Sequence, residues 1–304
     1  VPSRSALALV GLLLACLCWA GNALVARAFH DNIPPLSLAF WRWSLALLLL
    51  LPFVSVPLWR QRAQLRQGGW RLLAVAALGV ASYNSLLYTA AQSTAAINLA
   101  LVNTCLPLAT FLGAGLLLGD WPTRRAWLGM AVAALGLLLV IARGHWSNLV
   151  SLSFNVGDLV MLLAVVVWAL YTLLLRRWAR HLALPPLVLL GALMLLGVPM
   201  ILPFYLIEYA MRGGFALTPS NLGAIAYTAV FASLVAYLAW NHGVLVLGAA
   251  KATLVNYLMP VFTALLGWLL LGEGLQPYHW FGAALIFAGL LLATVPRWRS
   301  ARAG

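Results

Sequence analysis

A chain of 304 residues in which 64% are hydrophobic and 8% charged is not built for water, since a soluble domain carries roughly 25% charge. Eighteen Lys and Arg against five Asp and Glu give a net charge of +13. The basic residues stand in short clusters between apolar runs, which orients a membrane protein and lacks the solvated basic face that nucleic acid requires.

A spanning helix needs about 20 apolar residues. Ten runs meet that description: 6–29, 35–58, 70–91, 94–118, 124–142, 155–176, 185–209, 218–247, 249–271 and 277–295. The first is too long for a signal h-region and reads as the first span. The third/fourth and eighth/ninth boundaries are the weakest, because apolar sequence nearly crosses them. The expected fold is all-α and integral to the membrane. Group the N-terminus, every second loop and the C-terminus, including Arg297, Arg299 and Arg302. These hold fourteen Lys and Arg, against Arg27, Arg143 and Arg212 in the other loops. That asymmetry puts both termini in the cytoplasm.

Two stretches repeat. Leu101 to Asp120 reads LVNTCLPLATFLGAGLLLGD, and from Leu254 the chain reads LVNYLMPVFTALLGWLLLGE. Ten of the twenty pairs are identical, Asn103/Asn256, Pro107/Pro260 and Gly119/Gly272 among them, and each copy ends on an acid, Asp120 or Glu273. The offset of 153 continues through Trp127/Trp280, Gly129/Gly282 and Gly136/Gly289, while Trp19/Trp168 and Arg27/Arg176 align at 149. The chain therefore divides into a first half, 1–145, and a second, 146–304, joined by a polar linker from about Arg143 to Asn155 with Gly144, Ser147, Asn148 and Ser151. Each half has five spans. An odd number forces the halves to enter from opposite faces, the inverted repeat of many secondary transporters.

Polar and aromatic residues inside the spans mark a candidate substrate cavity: Asn22, Trp41, Tyr83, Asn103, Trp168, Tyr171, Tyr237, Trp240 and Asn256. Asn103 and Asn256 each precede a proline by one turn, where the ring frees a carbonyl. Each serves either a polar substrate group or helix packing. Aromatic walls with a few amides suit a solute with a planar or apolar side chain. For the rings the alternative is an interfacial belt, which fits Trp59, Trp70, Trp127, Trp280 and Trp298 at run ends. Arg42 lies about 10 Å into its span; it either snorkels outward or binds a carboxylate.

Of the acids, Asp31 is in a loop, Asp158 opens the sixth span as a capping charge, Glu208 nears the end of the seventh, and none reaches the midplane. Coupling through a midplane carboxylate is therefore not expected. Cys16, Cys18 and Cys105 sit in apolar runs with no His or acid cluster nearby, so no metal, disulfide or cofactor is expected. His30, His145, His181, His242 and His279 form no catalytic arrangement, and no HExxH, GxSxG or phosphate loop is present. An enzyme acting on a lipid-linked substrate would have only Asp158, Glu208 or His242 to work with, so the expectation is no enzyme.

Trp19 to Arg27, WAGNALVAR, resembles the first-helix signature of the EamA domain, and Leu271 to Ala293 resembles its closing two helices. The resemblance covers nearly the whole chain as two such domains, within the drug/metabolite transporter superfamily, and looks closest to YddG-type exporters. It implies a ten-helix inner-membrane carrier that exports aromatic and other apolar amino acids from a central cavity, with peripheral fifth and tenth helices. The small drug exporters of that superfamily carry a membrane glutamate in the first helix where this chain has Asn22, which argues against proton-coupled export of cationic drugs. A carrier of another metabolite, such as a nucleotide-sugar, is the alternative. The partners implied are a small molecule and the lipid bilayer.

Overall fold

The computed structural model describes residues 4–29, 31–94, 96–150, 155–271 and 274–294. Expectations on His30, Ser151, Gly272, Glu273, Arg297, Trp298, Arg299 and Arg302 lie outside these residues, as do those on the side chains of Arg27 and Leu271.

Helices form where the apolar runs stand: α1 (Arg4–Ala28), α2 (Pro35–Arg60), α3 (Arg62–Ala90), α4 (Asn98–Leu118), α5 (Arg124–Ile141), α6 (Val156–Leu182), α7 (Pro186–Arg212), α8 (Pro219–Leu247), α9 (Ala249–Leu269) and α10 (Pro277–Thr294). Among the described residues, nine are long and apolar enough to cross a membrane; α10 is apolar and shorter. The outward side chains are apolar as well, with Phe53, Leu116 and Phe281 each at least two-thirds exposed, as lipid-facing surfaces require. α3 starts before its apolar run: Gly69 leaves helical geometry at φ 44°, so Arg62–Gly68 forms a separate polar turn ahead of the span.

The helix starts show how the acids are used. α2 opens on Pro34-Pro35, which provides no side-chain cap. Glu208 of α7 does the work: Oε1 accepts from Leu36 N (3.0 Å), and Oε2 from Ser37 N (2.7 Å) and Ser37 Oγ (3.0 Å). A carboxylate at a helix N-terminus satisfies orphan donors and meets the positive end of the dipole. Asp158 forms a capping box with Asn155 on α6 and also accepts from Asn98 (3.1 Å) and Thr94, tying the α3–α4 connection to α6. At helix ends of opposite sign, Arg176 and Arg177 of α6 donate to the carbonyls of Leu245 and Leu117 near the ends of α8 and α4.

The packing pairs helices across the two sequence halves. α1 lies along α8 and α6 along α3; α2 packs on α7; α4 packs on α6 and α9 on α1. α3 and α8 each widen to π-helix at matching places, Ala77–Ser82 and Thr228–Val235. α4 breaks at Thr104 and α9 tightens to a 3₁₀ turn at Val255–Leu258. The Tyr257 hydroxyl donates to Thr104 O at 3.0 Å, joining two positions that correspond at the offset of 153.

α5 and α10 come closest at their glycines. A Cβ on Gly129 would sit 2.5 Å from the Gly289 carbonyl oxygen, and one on Gly136 would sit 2.6 Å from that of Gly282. Backbones come this close only where side chains vanish. Since Gly129 meets Gly289 while Gly136 meets Gly282, the two helices run antiparallel.

Candidate substrate cavity

Arg42 organises the polar interior. It lies about 10 Å along α2 at a rise of 1.5 Å per residue, and its exposure is 0%. Snorkelling is thus excluded: the side chain turns inward. Nε donates to Ser233 Oγ (2.9 Å), and Nη1 to Asn84 Oδ1 (3.0 Å), Asn22 Oδ1 (3.4 Å) and the Tyr88 hydroxyl. The guanidinium also stands over the rings of Trp43 (5.2 Å) and Tyr88 (5.9 Å). All these partners are neutral, and the buried Nη2 has none.

The network continues from there. Tyr88 donates to Asn22 Oδ1 (2.9 Å), and Asn84 Nδ2 donates to the Tyr237 hydroxyl (3.1 Å). Tyr237 in turn donates to Gly79 O (2.7 Å) in the π segment of α3. Gly79 has to be glycine, because a Cβ there would lie 2.3 Å from the Tyr171 ring. The π segment of α8 contributes likewise, since Ser233 Oγ donates to Thr228 O (2.9 Å) and Ala232 O accepts from Trp19 Nε1 (3.0 Å). Single π turns interrupt the backbone ladder and recur at functional sites; here their carbonyls hold the Tyr237 and Ser233 hydroxyls and the Trp19 indole.

Against this network opens a central cavity lined by Trp19, Asn22, Tyr83, Asn84, Leu87, Asn103, Trp168, Tyr237, Asn256 and Met259. Its volume, about 30 Å³, holds roughly two waters. An amino acid does not fit in this space without movement of the walls. The Oδ1 atoms of Asn103 and Asn256, the two sequence-matched amides, have no hydrogen-bond partner. Trp168 carries the apolar wall, with its ring 4.6 Å from Tyr83, 5.3 Å from Trp19, 5.5 Å from Tyr237 and 5.6 Å from Trp240 between centroids.

Six of the nine sequence-derived candidates meet at this cavity: Asn22, Tyr83, Asn103, Trp168, Tyr237 and Asn256. Tyr171 and Trp240 stand behind it, Tyr171 donating to Asn241 Oδ1 at 2.6 Å. Trp41 is elsewhere: it is 42% exposed on the outer surface and donates to the Tyr205 hydroxyl at 3.3 Å. Successive helical residues point about 100° apart, so turning Arg42 inward sends Trp41 out. Trp19, Asn84, Leu87 and Met259 complete the lining. Trp19 shares a helix face with Asn22 and matches Trp168 at the offset of 149, and both sequence signals point to it.

Models of one family match two blocks of the chain, residues 6–142 and 155–295, each as EamA-like transporter family. The chain belongs to the EamA-like transporter family. It is 31% identical over 265 residues to YyaM, an uncharacterized transporter of Bacillus subtilis (strain 168), covering 86% of this chain and 84% of that one. It is 31% identical to the uncharacterized protein PA1977 of Pseudomonas aeruginosa (strain ATCC 15692 / PAO1) over the full length of both. The uncharacterized inner membrane transporter YedA of Escherichia coli (strain K12) is 28% identical, covering 97% of this chain and 93% of YedA. A crystal structure of a protein 21% identical in sequence overlays with a TM-score of 0.76, covering 96% of this chain and 97% of the other, and shares the fold. The chain is thus a multi-pass membrane protein of a transporter family.

Proposed function

We propose that this protein exports amino acids, aromatic and other apolar ones, or related metabolites, across the bacterial inner membrane by alternating access. The observation that carries this reading is the way matched positions from the two halves converge on one cavity: Asn103 and Asn256 both line it, and Trp19 touches its counterpart Trp168. The ten helices form two five-helix repeats, 1–145 and 146–304, inverted about an axis in the membrane plane. Reciprocal contacts of corresponding residues are what a two-fold relation produces, and three features fit it. Gly129 meets Gly289 as Gly136 meets Gly282, Tyr257 bonds its counterpart Thr104, and the π segments of α3 and α8 occupy equivalent places.

Two such halves exchange conformations and offer one site to each face in turn. The 30 Å³ cavity must widen before substrate enters. Aromatic walls with unpaired amides suit an amino acid with a planar or apolar side chain, and the YddG-type resemblance supports the same class. Among the described residues the buried carboxylates, Asp158 and Glu208, hold helix N-termini, which supports a carrier that works without a carboxylate at the cavity. The Lys and Arg asymmetry puts both termini in the cytoplasm.

Purified protein in liposomes, assayed for counterflow of labelled phenylalanine, tryptophan and leucine, provides the test. Saturable flux of at least one is expected. Empty results across all amino acids would overturn the substrate class.

A further inference from the structure

We propose that Arg42 is the anion anchor of this carrier, so that the substrate must present a carboxylate and an otherwise similar amine is refused. The inference rests on the transport reading above and goes beyond it by assigning the charge of the ligand and the side chain that reads it.

Arg42 carries a charge that nothing around it balances. A guanidinium remains protonated in proteins, and this one has no exposed surface. A buried charge normally has an opposite charge beside it. Arg42 has two asparagines, a tyrosine and a serine instead, and Nη2 is without a partner. Among the described residues the buried acids, Asp158 and Glu208, are occupied at helix ends. A binding site for a mobile anion accounts for such an arrangement: the protein keeps the cation solvated by neutral dipoles, and the ligand supplies the countercharge.

Position points the same way. Asn22 and Asn84 each face the central cavity and also accept from Nη1, so Arg42 is one side chain deep behind that wall. Tyr88, another acceptor of Nη1, lines a second small cavity between α1, α2 and α3. Arg42 therefore has partners on two spaces. A carboxylate arriving from either displaces neutral acceptors and takes Nη1 and Nη2 together, the planar fork that matches two carboxylate oxygens. Lysine, a point charge, reproduces the sign without the fork.

Binding of 3-phenylpropionate and of phenethylamine to the detergent-solubilised full chain, followed by tryptophan fluorescence, tests this. The two probes share an apolar body and differ in charge. The wild-type protein is expected to hold 3-phenylpropionate at least about tenfold tighter than phenethylamine. Arg42→Gln is expected to bring that ratio to within about twofold of one, and Arg42→Lys to leave it intermediate. Because the ratio is taken within one protein sample, a lowered folded fraction does not move it, and if Arg42→Gln fails to fold, the wild-type and Arg42→Lys ratios decide. A wild-type ratio near one, or a ratio unchanged in the variants, would overturn the assignment and leave Arg42 a packing residue. Absence of all amino-acid flux with the charge preference intact would defeat the amino-acid reading while leaving the anion site standing.

Discussion

Gly289→Leu separates α5 from α10 and costs the protein several kcal/mol. The expectation follows from what surrounds the missing side chain. A Cβ at Gly289 falls 2.5 Å from the Gly129 carbonyl oxygen and 2.5 Å from Ala133 N, both backbone atoms that cannot rotate aside. Overpacking against flexible side chains costs about 1–3 kcal/mol and more where the neighbours cannot yield. In a membrane the loss is sharper, because close backbone contact between small residues is a main force joining helices there. Gly223→Ala is the matched control, since no atom lies within 4 Å of the position its Cβ would take. Thermal unfolding in detergent is expected to fall by many degrees for Gly289→Leu and to stay close to wild type for Gly223→Ala.

Trp168→Ala has the other large effect, and it acts on the cavity itself. The indole is 2% exposed and touches Trp19, Tyr83, Tyr171, Tyr237 and Trp240. Removing a buried Trp side chain costs about 3–5 kcal/mol, through lost transfer energy and the void left behind. Trp168→Phe retains an aromatic wall and is expected to lose far less. Flux is expected to follow the same order, with Trp168→Ala nearly silent and Trp168→Phe partly active. Trp41→Ala, on the outer surface, is expected to change flux little. Equal loss of flux in Trp41→Ala and Trp168→Ala would remove Trp168 from the substrate path.

The spans were legible because hydropathy and length are nearly sufficient in lipid, where every backbone group must be satisfied within a helix. Gly129, Gly136, Gly282 and Gly289 could be paired by offset from the sequence, but their mutual contact could not, since it depends on how α5 meets α10. Asp158 was readable as a cap because Asn155 precedes it by three residues. Glu208 was not, because its helix end lies 171 residues away at Ser37. The phase of the interior was the hardest part. Trp41 and Arg42 are neighbours, and polarity alone does not say which turns inward. Tyr83 and Asn84 follow the π segment of α3 in regular helix and point about 100° apart, yet both line the cavity, so a single-face reading of that helix leaves one of them out. The link from Arg42 to Ser233 spans 191 residues and leaves no local pattern.

The account depends most on the inversion of the two halves, and single cysteines at Asp120 and Gln276 test it most directly. They sit in the α4–α5 and α9–α10 connections, which correspond in the two sequence halves. With Cys16, Cys18 and Cys105 replaced by alanine, each variant is treated in intact cells with a membrane-impermeant maleimide. Labelling of the cysteine at 276 from outside, with that at 120 reached only after the membrane is opened, is the expected result. Labelling of both from the same face would contradict the inverted arrangement and the alternating mechanism built on it.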